Sequence, residues 1–391
     1  MSVIYLDNNA TTRPDPEVLE AMAPFLRNWW GNPSSMHAFG GQVRRHVEQA
    51  REQVAALLGA DPSEIVFTSG GTESDNAALR GFLEAVPAVR TVITSRVEHP
   101  AVLEPCRYLK DRGYSEIEIG VDGQGRLREE ELEAALKAGP ALVSLMWANN
   151  ETGVLFPIER LAPRIKAAGG TLHTDAVQAV GKVPIDVSRV PVDFLTLSGH
   201  KLHAPKGIGA LYIRRGTPFA PLILGGHQEH NRRSGTENVP GIIALGKACE
   251  LARRRMAEET RRMAALRDRL EQGILASCSD SRINGDPMQR LPNTTNISFH
   301  YIEGEAILYH LSDANIAASS GSACSSGSLE PSHVLRAMGV PFTAVHGSIR
   351  LSLSRFTTEE DIDVTLRELP RIVAKLRALS PFVPRPATKG A

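Results

Sequence analysis

The chain has 391 residues, 42% of them hydrophobic, enough for one large unit with a sizeable core and a smaller one beside it. Lysine plus arginine and aspartate plus glutamate each total 44, so the formal net charge is zero and nothing electrostatic points to a nucleic acid or an anionic membrane. The opening MSVIYLDNNATTR carries no basic segment followed by an apolar run, and no apolar stretch approaches the ~18 residues of a membrane span, so a soluble, cytoplasmic protein is expected.

QVRRHVEQAREQVAALLG (42–59) puts Val43, Val47, Ala50, Val54, Leu57 and Leu58 on one face, which predicts a helix stopped by Gly59. Short β-branched runs then recur: IVFTS (65–69), TVITS (91–95), ALVSLMWA (141–148), LHTDAV (172–177), FLTLS (194–198) and GALYI (209–213). Helical patterns separate several of them, which predicts an α/β fold with a mostly parallel sheet covered on both faces. The loop between FLTLS and GALYI has no room for a crossover helix, so that pair is expected to be antiparallel. After about residue 240 a long charged helical stretch leads into strand-like TTNISFHYI and SIRLSLS, alternating with helical EGEAILYHL and TTEEDIDVTLRELPRIVAKLRAL. This reads as a large domain over 15–257 and a smaller α+β domain over 258–391, completed by segment 1–14. The Pro-rich stretch 380–391 reads as a disordered tail.

Cys106, Cys249, Cys278 and Cys324 are widely spaced with no CxxC pair, which argues against a structural zinc site and a disulfide framework. The first three lie in helical patterns and read as small core residues. Cys324 differs: it sits in SSGSACSSGS (319–328) with no large neighbour. A Gly/Ser segment of about ten residues spans roughly 15–20 Å, so it reads either as an exposed loop with an incidental thiol or as a swinging arm.

Three further stretches carry chemistry. SGGTESD (69–75) follows a strand and opens a helix, with Thr72 as a candidate cap and Asp75 as its capping-box partner. It is either a plain strand–turn–helix junction or an anion site. HTDAVQ (173–178) carries Asp175 into a buried strand, either for an internal salt bridge or for a protonated ring nitrogen. SGHKLHAPKG (198–207) places Lys201 at a strand end, 26 residues beyond Asp175. An anion cradle, a buried aspartate and a strand-end lysine together are what pyridoxal phosphate requires.

With these motifs the sequence resembles the class V, fold-type I pyridoxal-phosphate enzymes, specifically cysteine desulfurases of the NifS/IscS group. The resemblance runs from YLDNNATT (5–12) to SRFTTEEDID (354–363). It includes GNPSS, FTSGGTESDN, VEHPAV, NNETG, HTDAVQAVGK, SGHKLHAPKG, RSGTENV, SSGSACSSGSLEPSHVLRAMG and SIRLSLSRFTTEE in family order. LDNNATTR, SLMWANNETG and GHKLHAPKG look closer to the nitrogen-fixation branch. The implied fold has a seven-stranded, mostly parallel sheet in the large domain.

The resemblance implies that Lys201 holds the cofactor as a Schiff base and later moves the Cα proton. Asp175 would pair with the ring nitrogen, and His99 would stack on the ring and move a proton. Gln178 and Asn150 would hydrogen-bond its phenolic edge, Asn150 also lying near the substrate carboxylate. Gly71, Thr72, Ser198, Gly199 and His200 would hold the phosphate, joined by Thr236 from the other subunit of a homodimer. Arg350 would pair the substrate carboxylate. Cys324 would take sulfur from L-cysteine as a persulfide, leaving L-alanine, and pass it to an iron–sulfur scaffold protein of the NifU/IscU type for nitrogenase maturation. No intrinsic metal is implied, Cys324 being at most a transient iron–sulfur ligand. The competing readings are a housekeeping desulfurase, a selenocysteine lyase, an aminotransferase on the same fold and a non-enzymatic sulfur carrier.

Overall fold

The computed structural model describes residues 3–320 and 331–382; Cys324 and the last part of the tail, 383–391, lie outside the described residues. A two-residue strand, β1 (Ile4–Tyr5), is followed by helices α1 (Pro16–Arg27) and α2 (Ala38–Leu58). The second stops where the apolar pattern ends, with Gly59 in the left-handed conformation. It starts earlier than the pattern suggested. Glycine is needed at position 40 in this added first turn, because a Cβ would lie 2.4 Å from the Asn32 carbonyl oxygen. His37 caps the start by accepting from the Gly40 N–H at 3.1 Å.

The main sheet has seven strands: β2 (Ile65–Thr68), β3 (Thr91–Ser95), β4 (Ser115–Ile119), β5 (Leu142–Ser144), β6 (Thr171–Asp175), β7 (Phe194–Ser198) and β8 (Gly209–Ile213). Their order is β2-β8-β7-β6-β5-β3-β4. β7, β6, β5, β3 and β4 are parallel, whereas β8 runs antiparallel to both β7 and β2. Helices α3 (Gly71–Ala85) and α4 (Pro100–Lys110) cover one face, where Val92, Leu142 and Phe194 meet Leu79, Phe82 and Val102. The alternate residues Ile93, Val143 and Leu195 face α2 and the long helix Val239–Ser277. Full burial of each such side chain contributes roughly 1.5–3 kcal/mol.

A second apolar core forms around an antiparallel sheet of β9 (Ser281–Ile283), β10 (Thr294–Phe299) and β12 (Ser348–Ser352), in the order β12-β10-β9. Leu270 and Ile274 from the end of the long helix pack into it with Ile297, Ile349 and Leu351. β1 pairs in parallel with β11 (Ile316–Ala317), which carries the fully buried Leu6 into the same core. The chain therefore returns its first residues to a core built mainly from its last third. Among the described residues no helix is long and apolar enough to cross a membrane.

Candidate active site

Parallel strands in one sheet end on one side, and ligands collect beyond their carboxyl ends. Here the residues that follow β3, β5, β6 and β7 converge on a cavity of about 300 Å³. His99, Asn150, Asp175, Gln178, Ser198, His200 and Lys201 all reach its wall. Gly71 and Thr72 enter from α3, and Arg350 enters from β12.

Helix α3 opens at Gly71 with Gly70 as its cap residue and no side-chain cap, so its first N–H groups keep no intrahelical acceptor. Thr72 is therefore not the cap. Glu73 closes the turn instead, its carboxylate accepting from the Ser69 N–H at 2.8 Å. Asp75 is not a capping partner either. It points into the sheet, is fully buried, and its Oδ1 lies 3.4 Å from Nε2 of His173. The helix begins two residues earlier than the motif implied, with its cap at Gly70 and not Thr72, which rotates Asp75 from the rim to the interior.

Asp175 ends β6, and its Oδ1 accepts from the Val177 N–H at 2.9 Å. Burial, reinforced by the nearby Asp75 charge, pushes its carboxyl up to about 7. Glu98 is a third buried acid in this layer. Its Oε1 accepts from Ser95 Oγ at 2.6 Å and from the Met146 N–H at 3.0 Å, and burial holds it well above the usual carboxylate range.

His99 caps α4: its Nδ1 accepts from the Ala101 N–H at 3.1 Å. Burial lowers its pKa, so the neutral ring carries its proton on Nε2. His200 is likewise pushed down to about 4, chiefly by burial, and its Nδ1 lies 3.2 Å from Thr11 Oγ1.

Lys201 closes a 3₁₀ turn after β7, and its Nζ donates to the carbonyls of Asn9 and Ala10 at 2.6 and 2.7 Å. The Asn9 carbonyl also accepts from Gln178 Nε2 at 2.9 Å. The buried Lys182 fixes the other end of that side chain. Its Nζ donates to the Gln178 carbonyl at 2.9 Å and to Oε1 at 3.4 Å, and burial drops its pKa to about 7. Asn9 Nδ2 donates to the Asn150 carbonyl at 3.1 Å and to Thr294 Oγ1 at 2.9 Å. Arg350 donates to the same Asn150 carbonyl from Nη1 at 3.1 Å and to Asp7 Oδ1 from Nη2 at 2.7 Å.

Gly199, assigned to the phosphate from the resemblance, does not line this cavity, and neither does Thr236, which the resemblance gives to the other subunit's phosphate and not to its own. Gly199 lies behind the wall, its N–H engaged by the Ile208 carbonyl at 2.9 Å. Thr236 borders a separate pocket of about 170 Å³ with Thr68, Ser69 and Arg233. Conversely, Asp7, Asn9 and Lys182 were missed. A signal existed for the first two: LDNNATT is polar just after an apolar residue that returns to a core, so its side chains enter the interior with it.

The described residues on either side of Cys324 are bonded close to this cavity. The Ser319 N–H donates to the Arg350 carbonyl at 3.3 Å, and the Arg350 N–H donates back at 2.6 Å. At the far end Ser332 donates to the buried Glu151 carboxyl, which burial pushes to about 7. His333 Nε2 lies 3.0 Å from the Glu98 carbonyl oxygen. Glu151 and Glu98 are the chain neighbours of Asn150 and His99.

Residues 4–365 match the family described as aminotransferase class-V. The chain is 62% identical to a cysteine desulfurase of Trichormus azollae, over 98% of this chain and 96% of that one. It is 58% identical to cysteine desulfurase NifS of Azotobacter vinelandii, over 98% of this chain and 95% of that one. A solved structure of a NifS-like protein superposes with a TM-score of 0.90 at 41% identity, covering 96% of this chain and 100% of the other. On this likeness, which spans the sheet, the cavity and the small core alike, the chain belongs to the class-V aminotransferase family, within its NifS/IscS group of cysteine desulfurases.

Proposed function

We propose that this chain converts L-cysteine and the Cys324 thiol to L-alanine and a Cys324 persulfide, with pyridoxal phosphate as cofactor. The observation that carries this reading is one cavity with Lys201 and Asp175 at neighbouring strand ends, an uncapped helix N-terminus beside them and Arg350 on the other wall. The residues fit the cofactor. Glycine at position 71 leaves room at the helix start, where a Cβ would lie 2.9 Å from Val177 Cγ2, so a phosphate can approach the free N–H groups there. The Asp175 carboxyl, raised by burial, suits a protonated ring nitrogen as its counter-charge.

When bound, the cofactor supplies an electron sink for the carbon skeleton. The chain's own residues do the rest. Arg350 takes the amino-acid carboxylate, and Lys201 moves the Cα proton. His99 holds a transferable proton on Nε2, because its Nδ1 is engaged. Cys324 attacks the substrate sulfur: an S–S bond forms, the Cβ–S bond breaks, and the carbon fragment gains a proton to become alanine. Support for Cys324 comes from the described residues before and after it, since Ser319 bonds the Arg350 backbone, Ser332 the Glu151 carboxyl and His333 the Glu98 carbonyl. The other three cysteines are buried.

The same reading includes a cytoplasmic homodimer in which Thr236 reaches the partner's phosphate. It includes delivery of sulfur to an iron–sulfur scaffold protein of the NifU/IscU type for nitrogenase maturation. The division into a large domain over 15–257 and a small one over 258–391, completed by 1–14, belongs to it too, supported by the separate apolar core that holds Leu6. The test is to incubate the protein with pyridoxal phosphate, L-cysteine and dithiothreitol and to measure sulfide and alanine together. Equal amounts of the two are expected. A keto acid in place of alanine, or neither product, overturns the reading.

A further inference from the structure

We propose that Asp7 sets the strength of the amino-acid carboxylate site: it orients the Arg350 guanidinium and, by its own charge, competes with substrate and product carboxylates for it. The proposal rests on the reading of Arg350 as the carboxylate-binding residue.

Arg350 lies on β12 between Ile349 and Leu351, whose side chains fill the small core, so strand alternation turns its own side chain the other way, to the cavity. The side chain is 4% exposed. A guanidinium has five N–H donors. Among the described residues Nη2 bonds Asp7 Oδ1 at 2.7 Å, Nη1 bonds the Asn150 carbonyl at 3.1 Å, and Nε has no partner. Asp7 engages through one oxygen, not through the paired fork that would saturate an edge. The guanidinium is therefore held in place yet keeps donors for a second carboxylate.

The Asp7 backbone is itself held in place. It bridges to Ser352 on β12, and its carbonyl accepts from the Ala10 N–H at 3.0 Å. With its backbone fixed, the Asp7 carboxylate stays within reach of Arg350 when a ligand arrives, so Arg350 then faces two carboxylates at once. The repulsion between them subtracts from the ligand's attraction to Arg350. Substrate and product carry the same α-carboxylate, so both are weakened alike, which is a change in uniform binding and not in transition-state stabilisation. The benefit is at product release: a lone buried guanidinium would also hold L-alanine tightly.

A purely orienting Asp7 and a competing one predict opposite signs. Asp7→Asn keeps an oxygen for Nη2 and removes the charge. In the holoenzyme we expect the KM for L-cysteine and the inhibition constant of L-alanine to fall together, by about three- to tenfold, with kcat equal or lower. L-alaninamide, which lacks the carboxylate, should bind wild type and variant equally, as read from the absorbance change of the bound cofactor. Asp7→Ser, also uncharged, should shift the L-alanine constant in the same direction, so the proposal stays open to test if one variant folds poorly. Constants that are unchanged or raised in a folded variant overturn it, as does an equal shift for L-alanine and L-alaninamide. Arg350→Gln separates the two layers: if that variant binds L-alanine as wild type does, the carboxylate reading itself fails, whatever Asp7 does.

Discussion

The Nζ of Lys201 donates to the carbonyl oxygen of Asn9 at 2.6 Å. Asn9 thereby joins the walls of the cavity, because the same carbonyl takes Gln178 and its side chain ties Asn150, Thr294 and Asn293. Asn9→Ala removes those side-chain bonds and leaves buried partners unsatisfied. We expect a loss of about 1–3 kcal/mol in stability, read by denaturant unfolding, together with weaker retention of pyridoxal phosphate. Wild-type values on both counts would show that the carbonyl is placed without the side chain.

Lys201→Ala should remove the visible absorbance that wild type gains on adding pyridoxal phosphate, because the covalent attachment point is gone. Asp175→Asn should keep the attachment and lower the affinity, since a neutral amide cannot compensate a protonated ring nitrogen. A wild-type protein that stays colourless with excess cofactor contradicts the assignment.

Cys324→Ala should leave cofactor binding intact and abolish sulfide release. Deleting Ser325 through Gly327 should impair turnover even with Cys324 present, because proximity of a well-oriented pair can be worth about 7–11 kcal/mol. Burial raises the thiols of Cys106 and Cys278 and pushes Cys249 to about 12, so none is a thiolate at neutral pH. Alanine at those three positions should cost stability only. Mass spectrometry after one turnover decides the matter: sulfur added to any cysteine peptide other than that of Cys324 contradicts the assignment.

Asp75 offers a pH test in the cofactor-free protein. Burial pushes its carboxyl to about 7, while the unfolded chain releases that proton near the ordinary value of about 3.9. Between these values the folded state binds more protons, so the contribution of Asp75 to stability falls as pH rises, by at most about 1.4 kcal/mol per pH unit. Asp75→Asn cannot titrate. Its stability relative to wild type should rise through that window and level off above it. The neighbouring His173, which burial pushes down to about 4, titrates with the opposite sign in both proteins and largely cancels from the difference. A difference that does not change with pH would show that Asp75 is ionised throughout.

Thr236→Ala should loosen pyridoxal phosphate in a dimer, although Thr236 lies in a separate pocket of its own chain. Equilibrium sedimentation gives the assembly state, and dialysis against buffer gives cofactor retention. A fully active monomer would contradict the composite site.

Much of the architecture was legible because it rests on local periodicity. The apolar face of α2, its stop at Gly59 and the buried strands all follow from side-chain spacing. The antiparallel turn between β7 and β8 followed from a loop too short to cross over. Lys201 could be named because a strand end among small residues is a poor place for a solvated lysine, and Asp175 because an otherwise apolar strand carries its carboxylate inward. His99 came only from the resemblance, since a lone histidine at a strand end carries no signal of its own.

By itself the sequence determined the elements, the α/β class and the chemical types at the strand ends, because each depends on residues close together along the chain. The tertiary structure alone decided which of them share a cavity and what holds them there. Asp7 and Arg350 are 343 positions apart, and Lys201 and Asn9 are 192 apart, yet each pair is in hydrogen-bond contact. Those contacts exist because Leu6 is buried in the core made by β10 and β12, which draws the polar run behind it against the carboxyl ends of the main sheet. The raised acids Asp75, Glu98 and Asp175 are likewise a property of the fold, since desolvation acts only after packing has excluded water from groups that sequence spacing leaves far apart.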